Sequence, residues 1–171
     1  MLAGMLSQPL PLKLPYKHFE SILAGVKTRT CCVDRTRAGG YDFIVERENL
    51  AVVWHLILES GSREGLQPAG FESFNVHRIE AGIPWYGLDM EENTLPIEAG
   101  LEKDAISFNK GCYIGQESVA RITYRGHVNR KLVGLSLSGN QPVSKGDKIS
   151  KDGQEVGWVT SSAYSPNLEI A

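Results

Sequence analysis

Eight consecutive residues, Lys110-Gly111-Cys112-Tyr113-Ile114-Gly115-Gln116-Glu117, carry the densest set of groups in this chain that could do chemistry. They put a thiol, an aromatic ring, an amide and a charge of each sign around two glycines. No regular element needs that mixture. Gly111 and Gly115 allow positive φ or a close approach of the backbone to a ligand. Cys112 follows a cation, Lys110, and precedes a helix-compatible run from Gln116 to Ile122, a setting typical of reactive cysteines. Cys112 is therefore the candidate functional thiol. Spacing alone leaves two readings open: a ligand-facing loop with a reactive cysteine, or a tight turn around a buried one.

Two further groups of residues suggest binding. Trp85 and Tyr86 lie in a loop-rich stretch just after Glu80, and aromatic faces near a carboxylate can sandwich and hydrogen-bond a flat heterocycle. The plainer reading is that both rings fill the core under a long loop. Arg121, Arg125, Arg130 and Lys131 form a basic segment with no acid among them, which is either a solvated face or an anion site. The stretch from Glu80 to Asp104 is the opposite, with seven acids and one base, Lys103.

The elements that must position these residues are ordinary. The chain has 171 residues, 42% hydrophobic and 22% charged, which allows one domain with a real core or two small ones. A net charge of -2 gives no global field to recruit nucleic acid or membrane. Cys31 and Cys32 are adjacent, there is no Cys-x-x-Cys, and the histidines show no metal spacing, so neither a disulfide framework nor zinc is expected. That cysteine usage fits a reducing, cytoplasmic compartment. Residues 1–17 are apolar but broken by Pro9, Pro11 and Pro15, which suits an edge strand or an irregular arm and no signal peptide or membrane span.

Phe19, Ile22, Leu23 and Val26 fall at helical spacing, with Gly25 near the end. Thr28–Val33 and Tyr41–Val45 read as an antiparallel strand pair around Gly39-Gly40. Leu50, Val53, Trp54, Ile57 and Leu58 form the clearest helical stripe, with Gly61 as its left-handed cap. Pro68 opens a second helical segment, Ala69 to Ala81, closed by Gly82. Lys131–Ser138 alternates like a half-buried strand. Val143–Asp147 marks a turn, and Asp152-Gly153 is a type I′ hairpin signal between Lys148–Ser150 and Glu155–Thr160. The order predicts an α+β layer followed by an all-β third, divided as 1–100, a signature loop and helix at 101–127, and 128–171.

Two stretches together resemble one family. Lys110–Glu117, with Ala120-Arg121 and Arg125-Gly126 after it, resembles the signature of the YgfZ group of folate-binding proteins. Arg78-Ile-Glu-Ala-Gly-Ile-Pro84, followed by Tyr86-Gly87 and Asp89, resembles a segment that this group shares with the aminomethyltransferase of glycine cleavage, GcvT or T-protein. A Gly-Leu-x-Pro-x-Gly turn at Gly65 to Gly70 lies in the matching order. The resemblance implies a partial GcvT-like folate-binding α+β domain followed by a small antiparallel β-barrel-like domain.

It also implies tetrahydrofolate as ligand, with Glu80 on the pterin N–H edge, Trp85 and Tyr86 beside the ring, and Arg121 or Arg125 on a carboxylate of the tail. T-proteins typically place Asp-Phe where this chain has Cys112-Tyr113. On that position the resemblance implies a YgfZ-type accessory role in iron–sulfur cluster assembly or repair, with a link to tRNA modification. Its partners would be folate and iron–sulfur proteins or assembly factors, and its compartment the cytoplasm, or the mitochondrial matrix in a eukaryote. The alternatives are an aminomethyltransferase relative, a non-catalytic remnant, or an RNA-contacting module using Arg121 to Lys131. Relatives in the family are longer at both ends, so the chain is expected to show sheet edges open to pairing with another chain.

Overall fold

The computed structural model describes residues 15–23 and 25–171, with the side chain of Arg125 also left out. Most of the proline-punctuated arm expected at 1–17 therefore lies outside the described residues. The chain divides into two compact units, one ending at Ala81 and the other running from Gly82 to Ala171.

The first unit is built on a three-stranded antiparallel sheet, β1 (His18–Leu23), β2 (Val26–Cys32) and β3 (Tyr41–Ile44), with β2 in the centre. The helix expected over Phe19–Val26 is not there. That segment is β1 and the turn into β2, with Glu20 opposite Arg29 and Leu23 opposite Val26. The reason lies in the burial pattern. Ser21 and Leu23 face inward while Ile22 between them is 58% exposed, so burial alternates with period two. Four apolar residues can be spaced to suit a helix and a strand at once, and here cross-strand pairing with the β-branched run of β2 decides.

On the outer face, Glu20 takes Lys27 at 2.9 Å and Arg29 at 3.1 Å. These bonds, Lys27 first, hold the Glu20 carboxyl below the usual carboxylate range. The strand pair β2–β3 agrees with expectation, and an Arg35–Asp42 ion pair at 2.7 Å clips its connection.

The inner face carries the core. A short 3₁₀ turn, Arg47–Asn49, leads into α1 (Leu50–Ser62). Leu23 and Val53 are its fully buried members, and Phe19, Val26, Phe43, Val45, Leu56 and Ile57 pack against them. The expected stripe is thus rotated: Val53 and Ile57 face the sheet, while Leu50 and Trp54 lie on the exposed side. Gly61 does not cap the helix; it lies within it. A Cβ there would stand 2.4 Å from Leu66 Cδ2 and 2.6 Å from its Cβ, so the glycine admits the returning chain. The left-handed residue is Gly65, at φ 78°, and the Leu66 N–H donates to the Gly61 carbonyl at 3.0 Å. Helix α2 (Phe71–Glu80) follows, and Gly82 comes next at φ 65°.

The second unit is loop-rich up to the signature. It holds two short helices, α3 (Glu102–Ala105) and α4 (Gln116–Arg125), then the hairpin β4 (Lys148–Lys151) and β5 (Gln154–Trp158). Asp152 and Gly153 take φ of 54° and 80°, the paired positive values of the expected type I′ turn. Lys131–Ser138 does not form a strand. Its Leu132 N–H donates to Glu98 and its Leu137 N–H to Ala171, two separate acceptors rather than one ladder. Alternation alone cannot make a strand without a partner edge in register. Among the described residues, no helix is long and apolar enough to cross a membrane.

Candidate functional site

Glu80 ends α2 in the first unit. Its side chain is 22% exposed. Oε2 lies 3.4 Å from Nδ1 of His77, one turn back. Arg78 between them is buried, and its Nε donates to Asn75 Oδ1 at 2.7 Å. The last turn of α2 therefore presents a carboxylate braced by an imidazole, and carries a buried guanidinium at Arg78.

Trp85 and Tyr86 open the second unit. Trp85 is half-buried; Tyr86 is 60% exposed, so it does not fill a core under the loop. The loop closes on itself, with the N–H groups of Leu88 and Asp89 donating to the Trp85 carbonyl and that of Gly87 to the Met90 carbonyl. Asp89 holds it from inside. One oxygen, Oδ2, accepts the Trp85 N–H at 2.9 Å; the other, Oδ1, accepts the hydroxyls of Thr160 at 2.7 Å and Ser161 at 2.6 Å. Sequence reading noticed Asp89 only as part of a motif. Its partners are 71 and 72 residues away, and no local pattern signals them.

The signature forms a turn feeding α4. Gly115 precedes the helix at φ 88°, and the Gln116 N–H donates to the Tyr113 carbonyl. The positive φ expected in this loop is found at Gly115 and not at Gly111, and the cation has another use. Lys110 Nζ sits 4.8 Å from the centroid of the Tyr113 ring. Glu117 takes Arg121 at 3.0 Å, an exposed pair one turn apart that contributes at most about 0.5 kcal/mol. Arg121 is thereby a partly neutralised member of the basic segment, and Arg130 stacks 5.1 Å over Trp158. Gln116, Val119 and Ala120 turn toward Ser107, Phe108 and Tyr113 around a crevice of about 50 Å³. Next to it, Glu102, Lys103, Ile106, Ser107, Phe108 and Asn109 line an open concavity of about 450 Å³. Neither is lined by Glu80, Trp85 or Tyr86.

Of the three cysteines, Cys112 is exposed, Cys31 half-buried and Cys32 buried. The buried-cysteine reading of the signature is therefore wrong. Access orders their reactivity: iodoacetamide should alkylate Cys112 first, Cys31 next and Cys32 last. Mass spectrometry of a timed labelling series reads that order, and Cys112 emerging slowest would remove it as a candidate. Among the described residues, no three His, Cys, Asp or Glu side chains converge as metal ligands.

Two stretches of this chain match known families. Residues 6–110 match the GCVT N-terminal domain, and residues 130–171 match the glycine cleavage T-protein C-terminal barrel domain. Among curated proteins, the aminomethyltransferase of Caldanaerobacter subterraneus subsp. tengcongensis is 35% identical over 147 residues, 86% of this chain and 39% of that protein. The aminomethyltransferase of Thermotoga maritima is 36% identical over 153 residues, 90% of this chain and 41% of that protein. That of Halothermothrix orenii is 37% identical over 75% of the chain. The chain thus spans about two fifths of the length of these relatives. The expected iron–sulfur accessory role is overturned, because the relatives carry the name aminomethyltransferase over most of the chain. The wider GcvT-like family has support from both ends of the sequence; the YgfZ group does not.

Proposed function

This chain belongs to the glycine cleavage T-protein family, and from that premise we propose that it is a tetrahydrofolate-binding polypeptide of the aminomethyltransferase type. The observation that carries the reading is the match of both family domains, in order, with relatives of that name on most of the chain. In such proteins tetrahydrofolate receives an aminomethyl carbon. The residues present fit the chemistry of the ligand. Glu80 offers an acceptor-only carboxylate able to take two parallel N–H donors of a pterin edge. The imidazole of His77 steadies that carboxylate from one side. Taken by itself, the second unit offers an exposed ring at Tyr86 and a half-buried one at Trp85, each of a kind that can contact a flat heterocycle. Arg121 or Arg125 is the cation for a carboxylate of the glutamate tail, Arg121 by exchanging Glu117 for the ligand.

The exposed Cys112 in its glycine-flanked turn is proposed as a functional thiol of this chain. Calorimetric titration with tetrahydrofolate tests the reading. The chain should bind, and Glu80→Gln should weaken binding by about 1–3 kcal/mol, the scale of a charged hydrogen bond lost from a sheltered site. Binding that is identical in the variant would place the pterin away from Glu80. No binding by the parent chain would remove the folate reading for this polypeptide.

A further inference from the structure

An exposed aromatic residue at the tip of a loop is costly to hold in place, yet this loop is held with unusual thoroughness. Residues 85–90 double back through Gly87, at φ 86°, and three backbone hydrogen bonds close the loop on itself. Lys145 adds a contact at 3.4 Å to the Gly87 carbonyl. The strongest ties converge on one carboxylate. Asp89 accepts the Trp85 N–H and the hydroxyls of Thr160 and Ser161, all between 2.6 and 2.9 Å, in a half-buried setting. Hydrogen bonds to an ionised acceptor are short and about twice as strong as neutral ones. Both oxygens are used, and they point to different parts of the second unit: one to the loop, the other to the segment after β5. The region that matches the barrel domain thus reaches the loop through Asp89, beside the longer contact from Lys145.

We propose that Asp89 is a positioning residue that latches the Trp85–Met90 loop to Thr160 and Ser161, so that the segment after β5 sets the placement of the Trp85–Tyr86 surface. The inference rests on the reading above in one respect, that this surface meets the folate ring. The physical gain is preorganisation: a ring fixed before the ligand arrives spares the ordering cost that a free loop would incur on binding.

The latch predicts action at a distance within the unit. Thr160 and Ser161 do not bond Trp85; they bond the oxygen opposite the one it uses. Replacing them with Thr160→Val and Ser161→Ala removes two donors and little volume. The Trp85 amide, followed by hydrogen exchange in the full chain, should then exchange about tenfold faster or more. Asp89→Ala should do the same, since it removes both acceptor oxygens. Thr160→Ser with Ser161 intact keeps both hydroxyls and should restore slow exchange. Tetrahydrofolate affinity of the double variant should fall in parallel, by about tenfold.

Unchanged Trp85 exchange in the double variant overturns the latch. Faster exchange with unchanged affinity overturns the positioning role and leaves Asp89 as a brace only. If the parent chain binds no tetrahydrofolate, the functional reading fails by itself, and the exchange measurement still decides the latch for or against.

Discussion

Replacing Arg78 with alanine should destabilise the first unit by about 2–5 kcal/mol, the range for emptying a large buried position. Arg78 is 1% exposed and is the largest fully buried side chain described. Its truncation removes packing volume and also strips Asn75 Oδ1 of the Nε–H that it receives at 2.7 Å. Lysine should not rescue the loss, because a compact, strongly hydrated ammonium cannot reproduce the planar fork of a guanidinium. Methionine should recover the part due to volume and none of the part due to hydrogen bonding. Urea midpoints for the three variants, at constant m-value, separate the two contributions. A shift below about 0.5 kcal/mol in Arg78→Ala would mean that the site is not part of the cooperative core. The position bears on the proposed site because Arg78 belongs to the same helix, two residues before Glu80.

Leu23→Ala should cost about 2–5 kcal/mol, and Ile22→Ala, one residue away, less than about 0.5 kcal/mol. Leu23 has no exposure and forms the centre of the core with Val53; Ile22 is 58% exposed on the outer face of β1. Adjacent residues with such different costs are the mark of a strand, since successive side chains point to opposite faces. In a helix, Ile22 and Leu23 would share a stripe and their truncations would cost similar amounts. Equal losses in denaturant melts of the two variants would return the segment to the helical reading.

That contrast shows what the sequence made legible. Strong local signals came through: the β-branched run of β2, the apolar density of α1, and the Asp152-Gly153 turn, whose two positive φ values few other pairs adopt cheaply. Features decided by distant partners did not. Phe19–Val26 satisfied two periodicities, and only pairing with β2 chose between them. Lys131–Ser138 had the alternation of a strand, but its amides find separate acceptors. Gly61 looked like a cap because the close approach of Leu66 is invisible in one dimension.

Function follows the same division between local and chain-wide signals. The eight residues around Cys112 point to one group, whereas the similarity running through most of the chain favours the aminomethyltransferases. The geometry of that turn shows how little Cys112-Tyr113 alone can decide. Lys110 is engaged by Tyr113 and Glu117 by Arg121, so the charges that lent the thiol its interest have other partners.

The Asp89 latch also bears on the order in which the chain assembles. Within the sheet of the first unit, contacts are short-range; the Glu20–Arg29 pair spans 9 residues. The latch joins Asp89 to residues 71 and 72 positions further on. Closing the longer loop costs about 2 kcal/mol more in chain entropy, by the logarithmic dependence on length. Because that cost falls before the bonds form, the hairpin of β1 and β2 has a kinetic head start over the latch. During synthesis the difference is greater still: the sheet residues precede the 85–90 loop, which must wait for Thr160 and Ser161. For that interval the Trp85–Tyr86 stretch lacks its anchor, and its aromatic residues are the ones a nascent-chain chaperone would meet.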